Sequence, residues 1–481
     1  MIQETKIVEL GHVISGKRIY KGKIIPVFNK YTKELIANVY SADEQTVKAA
    51  IDNSVETFKN KKLSAKDRYD ILSKAAQIVS CEKNELALSI TKEVGKSLKD
   101  SLTEIDRAID TFTIAAEESK RIFGEGIPLP NKFTDEKKMA YTVRVPVGVI
   151  AAITPFNLPF TLAVHKIAPA IAAGNVVILK PAEAAPITVM RLVEILEEAG
   201  LPKGFINVIN GYGHEAGEYL LKDERINMYT FTGSVGVGNH IKNSVGIRKV
   251  TLELGSNAPN IIHKDAYNLE QVAKLCATRG LATANGQACI SVQRLYVHSE
   301  IFNEFKDFLV DAASTLVVGN PEDPNTDIGP LISERQAERV ENWVKEAVED
   351  GAKVLIGGER DGAIFKPTIL TNLKPSMKVM CEEIFGPVIS LVEYDDIDEV
   401  IKEANDSKFG LQAGLFTSDL NLVMRASMEL EYGGVIVNDV STYRSDWQPY
   451  GGIKDSGLGK EGPIYAIREM TDEKAIIINY Q

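Results

Sequence analysis

Between Pro146 and Leu254 the chain alternates short, unbroken apolar runs with longer stretches of helical periodicity, and no other feature limits its fold as strongly. The run Val147-Gly-Val-Ile-Ala-Ala-Ile-Thr154 has no polar face, so a strand made from it has to be buried on both sides, as strands of parallel sheets are. Further strands are expected over 175–180, 205–210, 226–231 and 249–254. Between them lie a helical segment up to Ala173, a helix over 187–199 closed by Gly200-Leu-Pro202, a short helix, and a glycine-punctuated turn and helix. Such alternation gives a doubly wound parallel sheet. After Gly255 a second alternation starts, with strands expected over 260–263, 292–298, 353–357, 412–416 and 434–438. Ahead of both, residues 41–124 read as helices, with capping-box starts at Ser41-Ala-Asp-Glu44 and Ser64-Ala-Lys-Asp67 and a break at Gly95. The expected class is α/β, with two doubly wound domains packed across a cleft. A ligand site is expected where the parallel strands end.

Composition excludes several functions. At about 150 residues per domain, 481 residues suggest two to three domains, and 44% hydrophobic with 25% charged residues is ordinary for a globular chain. A formal net charge of −11 weighs against a general nucleic-acid binder or a ligand of anionic membranes, so neither is expected as a partner. No run approaches the roughly 18 apolar residues of a membrane span, and Met-Ile-Gln-Glu-Thr-Lys at the start lacks a basic region leading into an apolar stretch. The four cysteines are far apart and too few to form a framework, which points to a reducing, cytoplasmic setting. The six histidines never fall at metal-ligand spacing, so no metal site is expected.

Cysteine is the strongest nucleophile available at neutral pH, and the four differ in surroundings. Cys81 and Cys276 fall within helical patterns and read as core residues, while Cys381 precedes Glu382-Glu383, whose charge would raise a thiol pKa. Cys289 follows Gly286-Gln-Ala in a loop between helix and strand, where small neighbours let a substrate approach. It ranks first as a nucleophile. Glu253 ends an expected buried strand and reads either as a general base of raised pKa or as a paired structural glutamate. Asn157, between Pro155 and Pro159, is either a turn residue or a donor to a developing oxyanion. Phe231-Thr-Gly-Ser-Val-Gly-Val-Gly238 either holds a phosphate at a helix start or is a tight turn that needs glycine. Lys180-Pro-Ala-Glu183 is either a ribose-binding pair or a solvated loop pair.

Pro155-Phe-Asn157, Lys180-Pro-Ala-Glu183, Phe231-Thr-Gly-Ser234, Leu252-Glu-Leu-Gly255, Gly286-Gln-Ala-Cys289, Glu383-Ile-Phe-Gly-Pro387 and Pro449-Tyr-Gly-Gly-Ile-Lys454 together resemble the aldehyde dehydrogenase superfamily, in its order and across almost the whole chain. The resemblance implies an NAD-binding domain over 1–126 and 147–255 and a catalytic domain over 256–450. It also implies a bridging β element over 127–146 and 464–481 that joins subunits into a homodimer or homotetramer. The catalytic residues implied are Cys289, Glu253 and Asn157. For the cofactor, NAD with NADP as the alternative, they are Thr154, Pro155, Phe156, Lys180, Glu183, Gly233, Ser234, Gly255, Glu383 and Phe385. Glu183 is the family's usual partner for the ribose 2′-hydroxyl and would repel a 2′-phosphate. Gly286-Gln-Ala-Cys-Ile-Ser291 and the stretch from Ser441 to Tyr450 look most like lactaldehyde dehydrogenases, which implies a short hydroxy- or anion-bearing aldehyde as substrate, with Arg444, Arg121 and Leu158 on the substrate side. Non-phosphorylating glyceraldehyde-3-phosphate and semialdehyde dehydrogenases are the alternatives, although the former carry arginine where this chain has Ala288. A non-enzymatic, crystallin-like protein on this fold is the remaining alternative, and the presence of Cys289, Glu253 and Asn157 together weighs against it.

Overall fold

A computed structural model describes residues 7–130 and 137–480, so the readings on residues 1–6 and on the centre of the 127–146 segment lie outside the described residues. The apolar runs after Pro146 form five parallel strands in the spatial order Ile206–Val208, Val176–Lys180, Val149–Ile153, Met228–Thr232, Lys249–Glu253. Numbered along the chain, that is 3-2-1-4-5. The order reverses between Val149–Ile153 and Met228–Thr232, and a crevice opens beyond their carboxyl ends, where Thr154-Pro-Phe-Asn157 and Gly233-Ser234 follow. Antiparallel strands close the sheet: His12–Ile14 and Lys17–Ile19 on one side, Gly457–Leu458 on the other. All five parallel strands match the expected positions to within two residues at each end, the expected strand over 205–210 being observed as Ile206–Val208. Ile209 and Ile226 extend the apolar pattern past the strand ends because both are fully buried although they lie outside the strands.

The second sheet runs Lys353–Ile356, Thr368–Thr371, Val388–Tyr394, Arg294–His298, Pro259–Ile262, Gln412–Phe416, Gly434–Val437, parallel except for its first strand. Thr368–Thr371 and Val388–Tyr394 were not anticipated. Only the four-residue helix Lys378–Cys381 lies between them, so the strand–helix rhythm that reveals a parallel sheet is missing there. The strands between Val8 and Tyr40, on the N-terminal side of the helical region, were also not anticipated.

The helical region resolves into Glu44–Asn60, Ala65–Cys81, Lys83–Val94 and Leu98–Glu118. Ser64 makes the expected capping box with Asp67, and Gly95 ends the third helix at φ +91°, a left-handed turn that favours glycine. Ser41 does not cap. Its N–H donates to the Lys23 carbonyl just ahead of the strand Ile24–Phe28, and Asp43 caps instead, accepting from the Thr46 N–H at 2.8 Å. Thr471–Asn479 pairs along nine residues with Lys138–Pro146, and Gly126–Ile127 flanks the latter. The expected 464–481 element is therefore a sheet strand only from Thr471. Pro463–Glu469 is a helix, and Ile467 and Met470 pack into the core beside the first sheet. Among the described residues no helix is long and apolar enough to cross a membrane.

Candidate active site

The segment leading to Cys289 leaves the right-handed helical path. Ala284 and Asn285 sit at φ +49° and +55°, in the left-handed region that non-glycine residues adopt only under constraint. The constraint is visible. The Asn285 amide donates to the Gly95 and Pro330 carbonyls at 3.1 and 2.9 Å, and its oxygen accepts from the Gly329 N–H at 2.9 Å. Cys289 emerges half-buried, with Sγ 3.4 Å from the Tyr450 hydroxyl. Burial pushes its thiol up to about 11; Glu383 and Glu253 add to this, and the Tyr450 hydroxyl and Arg444 oppose it. The thiol keeps its proton at neutral pH until a base removes it.

Asn157 is buried, and its amide donates to the Gln287 carbonyl at 2.8 Å, which brings it beside the cysteine loop. One N–H bond of that amide remains for another acceptor. Glu253, only 4% exposed, ends its strand with both carboxylate oxygens unpaired among the described residues. Desolvation, then the neighbouring Glu461, holds its pKa well above the usual carboxylate range against the pull of Arg444, Lys166 and Lys460. A buried carboxylate without a donor is costly to keep, and such groups concentrate where protons are moved.

One cavity joins these three residues to Pro155, Phe156 and Leu158, to Gly233, Ser234 and Gly255, and to Glu383, Phe385 and Arg444. Phe385, at φ +51°, meets the Phe156 ring edge-on with centroids 6.0 Å apart. Glu383 accepts from the Ser256 N–H at 3.0 Å, and burial raises its pKa to about 7. Any side chain at Gly255 would run into the Glu383 carboxylate. Lys180, Glu183 and Thr154 stand at strand ends beside the same crevice but outside that cavity. The Lys180 ammonium is buried, with only the Pro181 carbonyl at 3.3 Å and Glu183 at 3.9 Å.

A dinucleotide fits what this crevice leaves unsatisfied. The hydroxyls of Thr154 and Thr232 are buried without partners, the Ser234 side chain makes no capping bond at the start of helix Val235–Ser244, and the Lys180 ammonium has donors to spare. The alternative for Lys180 and Glu183, a fully solvated pair, is ruled out for the lysine by its burial.

The substrate side differs from expectation. Arg121 is not brought to the cavity: it is exposed, pairs with Glu118 at 2.9 Å and Glu117 at 3.3 Å, and follows a helix that points it into solvent. Arg444 does reach the cavity, yet it is buried at 5% side-chain exposure rather than free in a loop. It pairs with Glu461 at 3.2 Å, contacts His165 Nδ1 at 2.9 Å and stacks on Tyr450 at 3.7 Å. Arg107, which no sequence motif marks, projects from helix Leu98–Glu118 into the same cavity and into two hollows adjoining it. Its guanidinium makes no hydrogen bond or ion pair among the described residues; burial and then Arg444 disfavour its charge, while Asp446, Tyr450 and Glu104 favour it from a distance. Arg279 lines the adjoining hollow, exposed and also unpaired. The acids there are already engaged: Asp100 and Glu104 with Lys96, Asp439 with the Val440 N–H.

Of the other cysteines, Cys276 is buried as expected. Cys81 is not: it ends a helix whose buried face runs through Leu72, Ala75, Ala76 and Val79, and that phase turns it outward. Cys381 is exposed. No group of three or more His, Cys, Asp or Glu among the described residues could hold a metal ion.

A profile of the aldehyde dehydrogenase family matches residues 19–476. The 3-sulfolactaldehyde dehydrogenase of Priestia megaterium is 51% identical over 479 residues, the whole of both chains. The lactaldehyde dehydrogenase of Methanococcus vannielii is 41% identical, covering 97% of this chain and 99% of its own. Among solved structures, glyceraldehyde-3-phosphate dehydrogenase GapN from Methanocaldococcus jannaschii, complexed with NADP, superposes with a TM-score of 0.92 at 39% identity, covering 96% of this chain and all of its own.

Proposed function

The chain belongs to the aldehyde dehydrogenase family and is an NAD(P)-dependent oxidoreductase acting on an aldehyde, and on that premise we propose that its substrate is a short aldehyde with a hydroxyl or anionic tail, of the lactaldehyde or sulfolactaldehyde type, oxidised to the acid. The observation that carries the proposal is Arg107, a cation without a hydrogen-bond or ion-pair partner among the described residues, in the cavity that holds Cys289. A guanidinium stays charged at any working pH, and a half-buried charge that lacks a contact partner favours an opposite one. An anionic tail supplies it, and a plain alkyl aldehyde does not.

Cys289 is the proposed nucleophile. Its thiol proton passes to the Glu253 carboxylate, and the thiolate adds to the aldehyde carbon. The resulting oxyanion accepts from the free N–H of the Asn157 amide and from the Cys289 backbone N–H. When bound, the dinucleotide supplies the hydride acceptor that turns this thiohemiacetal into a thioester. Glu253 releases the thiol proton to solvent, then takes one from a water that attacks the thioester and passes it to the departing Cys289 sulfur, so that the acid leaves and the thiol is restored. A carboxylate held above its usual pKa is a stronger base than an exposed one and suits both proton transfers.

Lys180, Glu183 and Ser234 are the proposed holders of the adenosine ribose and pyrophosphate, and Glu383 and Phe385 of the nicotinamide half. With Glu183 beside the ribose, NAD is preferred over NADP by like-charge repulsion. The division into an NAD-binding domain, a catalytic domain and a bridging sheet is proposed on the same footing, each of the first two having its own sheet and core. Ile477, Ile478 and Tyr480 are exposed on the bridging strand and support its proposed use in a homodimer or homotetramer. The test of the reaction is the rate of cofactor reduction with 3-sulfolactaldehyde, lactaldehyde, glyceraldehyde 3-phosphate, succinic semialdehyde and propanal. The expected outcome is a higher kcat/KM for one of the polar-tailed aldehydes than for propanal. A preference for propanal or longer alkyl aldehydes would overturn the reading.

A further inference from the structure

Helix Leu98–Glu118 is introduced by Lys96, whose side chain is wholly enclosed. Its ammonium lies 2.5 Å from Glu104 and 3.6 Å from Asp100, carboxylates one turn apart on the same helix face. Neither carboxylate is used up by the lysine. The other oxygen of Glu104 accepts from the N–H groups of Phe160 and Thr161 at 2.9 and 3.0 Å, and its backbone carbonyl accepts from the Thr161 hydroxyl at 2.6 Å. Those two N–H groups open helix Pro159–Ala173, which has no side-chain cap of its own and begins two residues after Asn157. Glu104 thus caps a helix it does not belong to, with its charge at the positive end of the dipole.

Asp100 reaches the other way and accepts from the Ala284 N–H at 2.9 Å. Ala284 is one of the two left-handed residues that set the approach to Cys289, and the next, Asn285, is tied to the carbonyl of Gly95, the residue before Lys96. The stretch 95–104 therefore grips both loops. They meet at the bond from the Asn157 amide to the Gln287 carbonyl.

We propose that Lys96, Asp100 and Glu104 are positioning residues: one buried lysine holds two carboxylates, Glu104 fixing the Asn157 loop and Asp100 the Cys289 loop, so that the oxyanion donor and the nucleophile keep one spacing. The inference rests on the reading of Cys289 and Asn157 as the reacting pair. Its test includes a measurement made without turnover, so the two can fail separately.

That measurement is the alkylation rate of Cys289 by iodoacetamide in the full-length protein, located on the Cys289 peptide, beside kcat and KM. Glu104→Leu removes the acceptor at the Asn157 loop and is expected to lower kcat by about tenfold or more, with Cys289 alkylation within about twofold of the unaltered protein. Asp100→Ala releases the cysteine loop and is expected to change the alkylation rate by about fivefold or more, while Asp100→Asn, which still offers Ala284 an acceptor, stays within about twofold. Lys96→Met leaves two carboxylates enclosed without a cation and disturbs both readouts. Adding Glu104→Gln to it restores part of kcat, because the amide carbonyl still accepts from Phe160 and Thr161 without a charge. If Glu104→Leu does not accumulate as folded protein, the Asp100 pair decides through its alkylation rates. Equal proportional losses in kcat and alkylation for the Asp100→Ala and Glu104→Leu variants, unaltered values in both, or identical alkylation for Asp100→Ala and Asp100→Asn would overturn the proposal.

Discussion

Two groups of residues that line the central cavity are built differently. In the first group Cys289, Asn157 and Glu253 come from three loops or strand ends, each next to a conspicuous local pattern, and each is held by backbone contacts from elsewhere. In the second group Arg107 and Arg444 come from a helix and a long loop, and what sets them apart is whether their charge is already matched. Arg444 lies among Glu461, Asp446 and His165, and Arg107 has no hydrogen-bond or ion-pair partner among the described residues. Position alone does not make an arginine a substrate ligand. The charge left over after internal pairing does.

The contrast predicts effects of different kind in the two groups, and the largest belong to the reacting group. Cys289→Ala is expected to lower kcat by about four orders of magnitude or more for every aldehyde while the reduced cofactor still binds, as fluorescence titration would read. Activity retained in that variant would break the comparison outright. Glu253→Gln is expected to slow both the first hydride transfer at each site and the steady state, because the base for the Cys289 thiol and for the attacking water is lost together. The pH dependence carries a sign. Glu253 has its pKa raised, so its basic form appears only as pH climbs above the ordinary carboxylate range, and the steady-state rate should rise through that raised value and then level off. Glu253→Gln should lack this limb in stopped-flow and steady-state profiles alike.

A smaller effect, but a selective one, is expected in the second group. Arg107→Leu should raise KM about 30- to 100-fold for an aldehyde with a sulfonate, phosphate or carboxylate tail, since losing the partner of an enclosed charge costs about 2–3 kcal/mol. For propanal the change should stay within about twofold. Arg444→Ala should act without selectivity, lowering kcat for both aldehydes, because it strands Glu461 and Asp446 rather than the substrate. A selective loss with Arg444 and a uniform one with Arg107 would reverse the assignment of the two arginines.

How legible each region was follows from the same physics. Strands buried on both faces show as unbroken apolar runs, so Val149–Ile153 and Met228–Thr232 were placed from sequence, and with them the crevice between. Thr368–Thr371 and Val388–Tyr394 pair with their neighbours without an intervening long helix, and no local rhythm announced them. Cys289 and Glu253 stand out because small residues and buried-strand ends are local signals. Arg107 depends on the phase of a helix against a loop almost 200 residues away, and Lys96 on partners that only folding supplies; neither leaves a mark in a linear pattern. The burial of Arg444 was hidden for the same reason.

Arg121 gives the smallest prediction and the sharpest check on the charge argument. It lies 14 residues past Arg107, a distance of about 21 Å if the helix ran on, and on the surface rather than in the cavity. Its guanidinium is matched by Glu117 and Glu118, and exposed pairs of this kind contribute about 0–1 kcal/mol. If unmatched charge inside the cavity is what reads the tail, Arg121→Ala should leave KM for an anionic aldehyde and for propanal within about twofold of their original values. Measured beside Arg107→Leu under the same salt, a clear rise in KM for the anionic aldehyde alone would show that a matched surface charge steers the substrate. The division between matched and unmatched arginines would then no longer explain which residues select.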